Sequence, residues 1–243
     1  DLLSINYTSG TTSRPRGVMI THRNAWVNVV GTLAHLPMTP ADRFLWSLPM
    51  FHANGWTYTW IVTAAAALHV CLRQVDAATV YRLVNQERIT MLCAAPTVLI
   101  AIASGPEEGR KSLRRGVRVQ TAGAPPAAAT IERVEGELGW VITQVSGITE
   151  TTPFISICAP LPEHDALEPG ERARIKPRQG AELLTSGDLP APDEDTRDVP
   201  RDRAPPGERV QHLLDAAGER RAVEEQPAQA VPPDLEEGDR HRP

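Results

Sequence analysis

Apolar and polar residues alternate over Leu2-Leu3-Ser4-Ile5-Asn6-Tyr7, the two-residue period of a strand. From Ala25 to Leu36 the apolar spacing becomes helical, with Thr21 or Asn24 as N-cap and Pro37 and Pro40 closing the segment. Short, mostly apolar runs at Phe44 to Leu48, Leu68 to Leu72, Ile89 to Cys93, Val117 to Thr121 and Val141 to Val145 predict further strands. Helical patterns lie between them, following Trp56 and running through Ala67, then Ala77 to Glu87, Pro96 to Ala103 and Pro126 to Leu138. Pro96 falls at a first-turn position, where its missing N–H costs no hydrogen bond. Strands alternating with helices of this length predict an α/β fold with a largely parallel sheet. There is no internal repeat.

The pattern stops short of the C-terminus. Phe154 is the last aromatic residue, and most of the 22 prolines lie beyond Ala159. Residues 201–243 carry no aromatic residue, Ile, Met or Cys and are crowded with Arg, Glu, Pro, Ala and Gly. Such a segment buries too little apolar surface to offset chain entropy, so disorder is expected. Its bias fits out-of-frame translation of a GC-rich gene. Asp1 begins almost inside a strand and without Met, as a piece of a longer protein would.

A chain of 243 residues allows one large domain or two small ones with a sizeable core. Its net charge of −5 argues against a nucleic acid held by bulk charge. Cys71, Cys93 and Cys158 lie in or beside apolar runs without metal-ligand spacing, and read as buried thiols of a reducing compartment. No apolar run reaches the roughly 18 residues of a membrane span, and no basic-then-apolar leader is present. A soluble, cytoplasmic protein is expected.

Candidate chemistry begins at Tyr7-Thr8-Ser9-Gly10-Thr11-Thr12-Ser13-Arg14-Pro15-Arg16-Gly17, where five Ser and Thr side chains, two glycines and two arginines share eleven residues. Small residues leave backbone N–H groups free to turn toward an anion, and the cations neutralise it. The Gly-Lys-Ser/Thr ending of the common nucleotide loop is missing. A plain turn between two strands has the same composition. The order of residues, however, resembles the signature loop of the adenylate-forming, AMP-binding superfamily, Y-T-S-G-T-T-G-x-P-K-G-V, and the likeness continues through Met19 to Asn24. It departs at Ser13, where the family has Gly, and at Arg16, where it has Lys.

Three further segments extend the likeness. Pro49-Met50-Phe51-His52-Ala53-Asn54-Gly55-Trp56 resembles the acyl-CoA synthetase branch, in which the histidine matching His52 lines the channel shared by the acyl group and the CoA pantetheine arm. Without that context such a histidine is more often a packing or capping residue, as His35 and His69 read here. Thr121-Ala122-Gly123-Ala124-Pro125-Pro126 is a tight turn whose small residues let a flat ligand lie against backbone. The resemblance implies adenine contacts at Gly123, Ala124 and Pro125. Gln144-Val145-Ser146-Gly147-Ile148-Thr149-Glu150-Thr151 sets a carboxylate beside a hydroxyl at a strand end, a pairing that suits a hard metal and a phosphate oxygen. It resembles the family's Y-G-x-T-E motif, with Ser146 in place of the aromatic residue that stacks on adenine, a loss of about 1–3 kcal/mol. From Cys158 the text is similar to the family's linker into a β-rich subdomain, and the likeness fades near Val199. Thr185-Ser186-Gly187-Asp188 is not read as the family's ribose-binding T-G-D motif, because no apolar strand precedes it at the right remove.

The resemblance implies part of the large N-terminal domain of an adenylate-forming enzyme, a mostly parallel sheet with flanking helices, plus a disordered C-terminal tail. Residues 1–158 would be the AMP-binding core, 159–200 the linker and start of a β-rich subdomain, and 201–243 the tail. Thr8, Ser9, Gly10, Thr11, Thr12, Arg16 and Gly17 would hold the β- and γ-phosphates of ATP. Thr149 would contact the α-phosphate, Glu150 would hold Mg2+, and Gly123, Ala124, Pro125, Ser146 and Gly147 would complete the nucleotide site. His52, Gly147 and Ile148 would border the acyl and pantetheine channel. Thr149, Glu150, His52 and Arg16 are the catalytic candidates; a fatty acid or other carboxylate and CoA are the co-substrates. The family's segment before the loop, its ribose-binding Asp, hinge and lysine-bearing lid have no match here. Two readings stand: an AMP-forming acyl-CoA synthetase fragment, or a non-catalytic remnant that binds nucleotide or acyl group weakly or serves as an interaction surface. A phosphate-loop ATPase or kinase ranks third. A core exposed by truncation is expected to favour self-association.

Overall fold

The computed structural model describes residues 1–9, 14–159 and 161–186. Gly10, Thr11, Thr12 and Ser13 of the hydroxyl-rich loop, Gly187 and Asp188, and the expected tail at 201–243 lie outside the described residues. Strands β1 (Leu2–Thr8) and β2 (Arg16–Thr21) form an antiparallel hairpin, with Thr8 opposite Arg16 and Tyr7 opposite Gly17. β2 was legible as the apolar run Val18-Met19-Ile20 but is not among the strands predicted above. Thr21 ends it and opens helix α1 (His22–His35): its hydroxyl accepts the Asn24 N–H, while the Asn24 side chain accepts the Thr21 N–H. Both candidate caps thus serve in one reciprocal capping box.

The main sheet contains β3 (Arg43–Trp46), β4 (Leu68–Cys71), β5 (Met91–Cys93), β6 (Arg118–Thr121), β7 (Val141–Gly147), β8 (Phe154–Cys158) and β9 (Ala181–Glu182), in the order β4-β3-β5-β6-β7-β8-β9. The first five strands of that order are parallel; β8 and β9 join antiparallel. After α1 come a left-handed turn, α2 (Ala53–Trp56), and the helices α3 (Tyr58–Ala64), α4 (Ala77–Gln86), α5 (Pro96–Ala103), α6 (Glu107–Lys111), α7 (Ala128–Arg133) and α8 (Pro169–Ile175). Strand pleating divides the core in two. Leu45, Leu92, Val119 and Ile142 pack beneath α4, α5 and α7, whereas Phe44, Trp46, Met91, Cys93 and Val145 pack beneath α1 and α3. Both faces of the parallel strands are covered, which is why their sequences read as continuous apolar runs.

Three local features depart from the predicted pattern. The helix expected after Trp56 begins at Tyr58, behind a left-handed run from Ala53 to Thr57, but ends at Ala64, short of Ala67, because Ala66 turns to positive φ. The helix expected from Pro126 begins at Ala128, and its last turn, Val134–Leu138, widens to π geometry. Cys93 and Cys158 are buried as expected, but Cys71 is exposed because β4 is the edge strand.

The chain beyond β8 folds back on the same body. Lys176, nearly inaccessible, pairs with Glu135 and donates to the Ile142 carbonyl at 3.3 Å. The Leu184 N–H donates to His35 Nε2 at 3.0 Å, and the Thr185 hydroxyl donates to the Val27 carbonyl at 3.1 Å, seating this segment on α1.

Candidate functional site

Parallel strands gather loops at their carboxyl ends, and ligands of open α/β sheets sit there. β6 ends at Thr121 and runs into Ala122-Gly123, β7 ends in Ser146-Gly147, and their register sets Thr121 directly beside Gln144. The turn at Gly123, Ala124 and Pro125 therefore adjoins the strand end that carries Ser146. Thr121 Oγ1 and Gln144 Oε1 are both buried and have no hydrogen-bond partner among the described residues. Buried polar atoms are ordinarily paired. Both atoms are enclosed by protein at this strand end.

At Gly147 the pairing of β7 with β8 shifts register. A Cβ there would lie 1.7 Å from the Pro153 carbonyl oxygen, so the close return of the chain requires glycine. The next residues form a single 3-10 turn, Thr149–Thr151, stapled by the Thr151 hydroxyl to the Ile148 carbonyl at 2.9 Å and by the Ile148 N–H to Thr151 Oγ1 at 3.0 Å. That turn brings Glu150 to the β1–β2 hairpin, where the Thr8 hydroxyl donates to Glu150 Oε1 at 3.5 Å. Thr8 in turn lies opposite Arg16. A hydroxyl, a carboxylate and a strand position carrying a guanidinium thus converge from distant parts of the chain. Ser9, Arg16 and Gly17 are exposed at this end of the hairpin.

Ser146 is buried, and its hydroxyl donates to Gln179 Oε1. The place where the resemblance puts an aromatic ring is therefore packed by a glutamine from the segment after α8.

His52 stands apart from this group. It is exposed, and among the described residues its side chain makes no hydrogen bond. It precedes five consecutive residues at positive φ: Ala53 at 41°, Asn54 at 46°, Gly55 at 60°, Trp56 at 52° and Thr57 at 68°. Each non-glycine residue held there costs roughly 1–3 kcal/mol, so surrounding contacts must impose the shape. Gly55 lies so close to the Trp46 ring that a Cβ would approach it to 2.5 Å. Asn54 bonds to Asn6 and Ser4 of β1, and the Thr57 hydroxyl donates to the Thr152 carbonyl at 2.9 Å. The His52 turn is thereby tied both to the hairpin and to the segment following Glu150. The sequence reading missed Asn6, Asn54, Thr57, Thr152 and Gln179. Asn54-Gly55, a dipeptide tolerant of left-handed backbone, was the available signal.

Among the described residues no three His, Cys, Asp or Glu side chains gather into a metal-binding group. Glu150 with the Thr8 hydroxyl supplies hard oxygen donors of the kind magnesium shares with substrate phosphates. The donor set fits an ion that arrives with a nucleotide, and not one held in an all-protein cage.

The model of the AMP-binding enzyme family matches residues 1–208. Probable acyl-activating enzyme 9 of Arabidopsis thaliana is 45% identical over 209 residues, which are 85% of this chain and 37% of that protein. Among solved structures, the inhibitor-bound N-terminal domain of FACL13 from Mycobacterium tuberculosis superposes with a TM-score of 0.64 at 26% identity, over 76% of this chain and 44% of that one. The O-succinylbenzoate coenzyme A synthetase of Bacillus subtilis, in complex with ATP and magnesium ion, gives 0.60 at 26% identity, over 74% of this chain and 35% of that one. The chain spans 37% of the length of that Arabidopsis relative.

Proposed function

The chain belongs to the AMP-binding enzyme family, and on that premise we propose that it is the nucleotide-binding core of an AMP-forming acyl-CoA ligase. In the first half-reaction a carboxylate oxygen of the acid attacks the α-phosphorus of ATP, and the bond to the departing pyrophosphate breaks. In the second, the CoA thiol sulfur attacks the acyl carbonyl, AMP leaves, and the thiol proton passes to solvent. Little of this needs covalent help from protein, so catalysis rests on positioning and charge.

The observation that carries the proposal is the approach of Glu150 to Thr8, which joins the two segments with the strongest phosphate chemistry. Thr8, Ser9, Gly10, Thr11, Thr12, Arg16 and Gly17 bind the β- and γ-phosphates, and Thr149 orients the α-phosphate. Glu150, beside Thr8, would hold magnesium, which neutralises phosphate charge when bound. Gly123, Ala124 and Pro125 face adenine, with Ser146 at its edge, and His52, Gly147 and Ile148 border the channel for the acyl group and the pantetheine arm. The acid is a fatty acid or another carboxylate. The chemistry resides in residues 1–158. No described helix is long and apolar enough to cross a membrane, and a cytoplasmic setting is part of the proposal.

Acid-dependent exchange of labelled pyrophosphate into ATP tests this reading. Exchange above a Glu150→Ala control supports a ligase. A second reading is favoured by the Ser146–Gln179 contact, which leaves no aromatic face for adenine at that position: the chain would be a remnant that binds nucleotide or acyl group weakly. A folded sample without exchange supports that alternative.

A further inference from the structure

The left-handed run after His52 contains four residues that bear a Cβ and one glycine. L-residues avoid this region, so the run takes its shape from what holds it. The holding contacts are specific. The Asn54 N–H donates to Asn6 Oδ1 at 3.2 Å, and Asn6 Nδ2 donates back to Asn54 Oδ1 at 2.6 Å. The same oxygen of Asn54 accepts the Ser4 hydroxyl at 2.7 Å. Asn6 is buried and lies two residues before Thr8. At the other end of the run, Thr57 bonds to Thr152, two residues after Glu150.

Asparagine suits both positions for separate reasons. At residue 54 it is among the side-chain-bearing residues that best tolerate positive φ. At residue 6 its amide supplies one donor and one acceptor to a backbone N–H and a side-chain oxygen at once. Aspartate would lose the donor, and glutamine would add a methylene to a buried contact.

We propose that Asn6 and Asn54 are positioning residues: their reciprocal pair fixes the His52 turn against the strand that enters the hydroxyl-rich loop, so the acyl and thiol channel keeps one spacing from the phosphate site. This rests on the role given to His52 above. Neither asparagine touches reacting atoms, and both act through the turn.

The test uses the full chain with Asn54→Gly, which keeps the left-handed backbone and its N–H bond to Asn6 but removes the two bonds accepted by the side chain, with Asn6→Ala, and with Asn54→Asp, which keeps the accepting oxygen. Two readouts are taken: the ring-proton NMR resonance of His52 without ligand, and calorimetric binding of ATP and of a non-hydrolysable acyl-adenylate analogue. Asn54→Gly and Asn6→Ala should shift or broaden the His52 resonance and weaken the analogue at least tenfold, with ATP affinity changed less than twofold. Asn54→Asp should restore most of both. An unmoved His52 resonance, or equal losses for ATP and analogue, overturns the proposal. Should a variant melt early, Ser4→Ala removes one bond of the three and is read the same way. If the unsubstituted chain binds neither ligand, the ligase reading fails, while the His52 resonance still decides the latch.

Discussion

The Thr8 hydroxyl meets the Glu150 carboxylate at 3.5 Å across 142 residues of chain. The contact joins the hairpin that carries the hydroxyl-rich loop to the turn that closes β7. It is long for a hydrogen bond between oxygens, as suits two groups that would share a third partner.

Removing the carboxylate should therefore cost more than removing the hydroxyl. Glu150→Ala is expected to lower pyrophosphate exchange on the order of 10²-fold, the size of loss seen when one charge-stabilising group leaves a reacting centre. Thr8→Val should raise the KM for ATP with a smaller change in kcat. Steady-state kinetics over a magnesium titration checks both, and equal effects would contradict the assigned roles.

Ser146 and Gln179 make a second prediction. An aromatic ring at 146 should gain about 1–3 kcal/mol of base stacking, but Gln179 occupies the space beside it. Ser146→Tyr alone should lower the melting temperature and leave ATP affinity little changed. Ser146→Tyr with Gln179→Ala should tighten ATP by about tenfold or more in isothermal titration.

The pair of Lys176 and Glu135 is a stability element away from the site. Lys176 is 6% exposed, and Glu135 also accepts the Ile142 N–H. Lys176→Met leaves a partly buried carboxylate unpaired and should cost about 3–5 kcal/mol. Lys176→Met with Glu135→Gln should recover most of that loss, as urea unfolding would register.

His69 sets a pH dependence. The Trp46 indole N–H donates to His69 Nδ1 at 3.0 Å, so the ring is neutral where it is bonded. Burial pushes the imidazole below its ordinary value. The unfolded chain takes up this proton near pH 6.5 and the folded chain does not. The stability contribution is present above about pH 6.5 and is lost as pH falls below it. Melting temperatures should decline from about pH 7 to about pH 5, and His69→Asn should flatten that decline.

Trp26 is 67% exposed in an apolar groove lined also by Leu3, Ala25, Val29 and Trp60, and Leu2, Ile5 and Met19 of the β1–β2 hairpin are exposed as well. Exposed apolar area of this kind favours association between copies. Sedimentation should show concentration-dependent self-association, reduced by Trp26→Lys; a monomer at all concentrations would remove this expectation.

The sequence by itself determined the layered α/β plan. Runs such as Phe44-Leu45-Trp46 and Met91-Leu92-Cys93 are apolar at every position because both faces of a parallel strand are covered, and that requirement is written locally. The candidate chemistry of Thr8 to Gly17 and of Thr149-Glu150 was legible as residue types in order. Tertiary structure decided what no local pattern encodes. Thr8 meets Glu150 because the fold brings the turn after β7 and the hairpin together. Ala53 to Thr57 turn left-handed, against the preference of four of their five residues, because Asn6, Ser4 and Thr152 hold them there. Ser146 is joined by Gln179 only because the chain after β8 folds back. Short-range periodicity reports which face of an element is buried; the partner across the interface is set by the long-range packing of elements far apart in the chain.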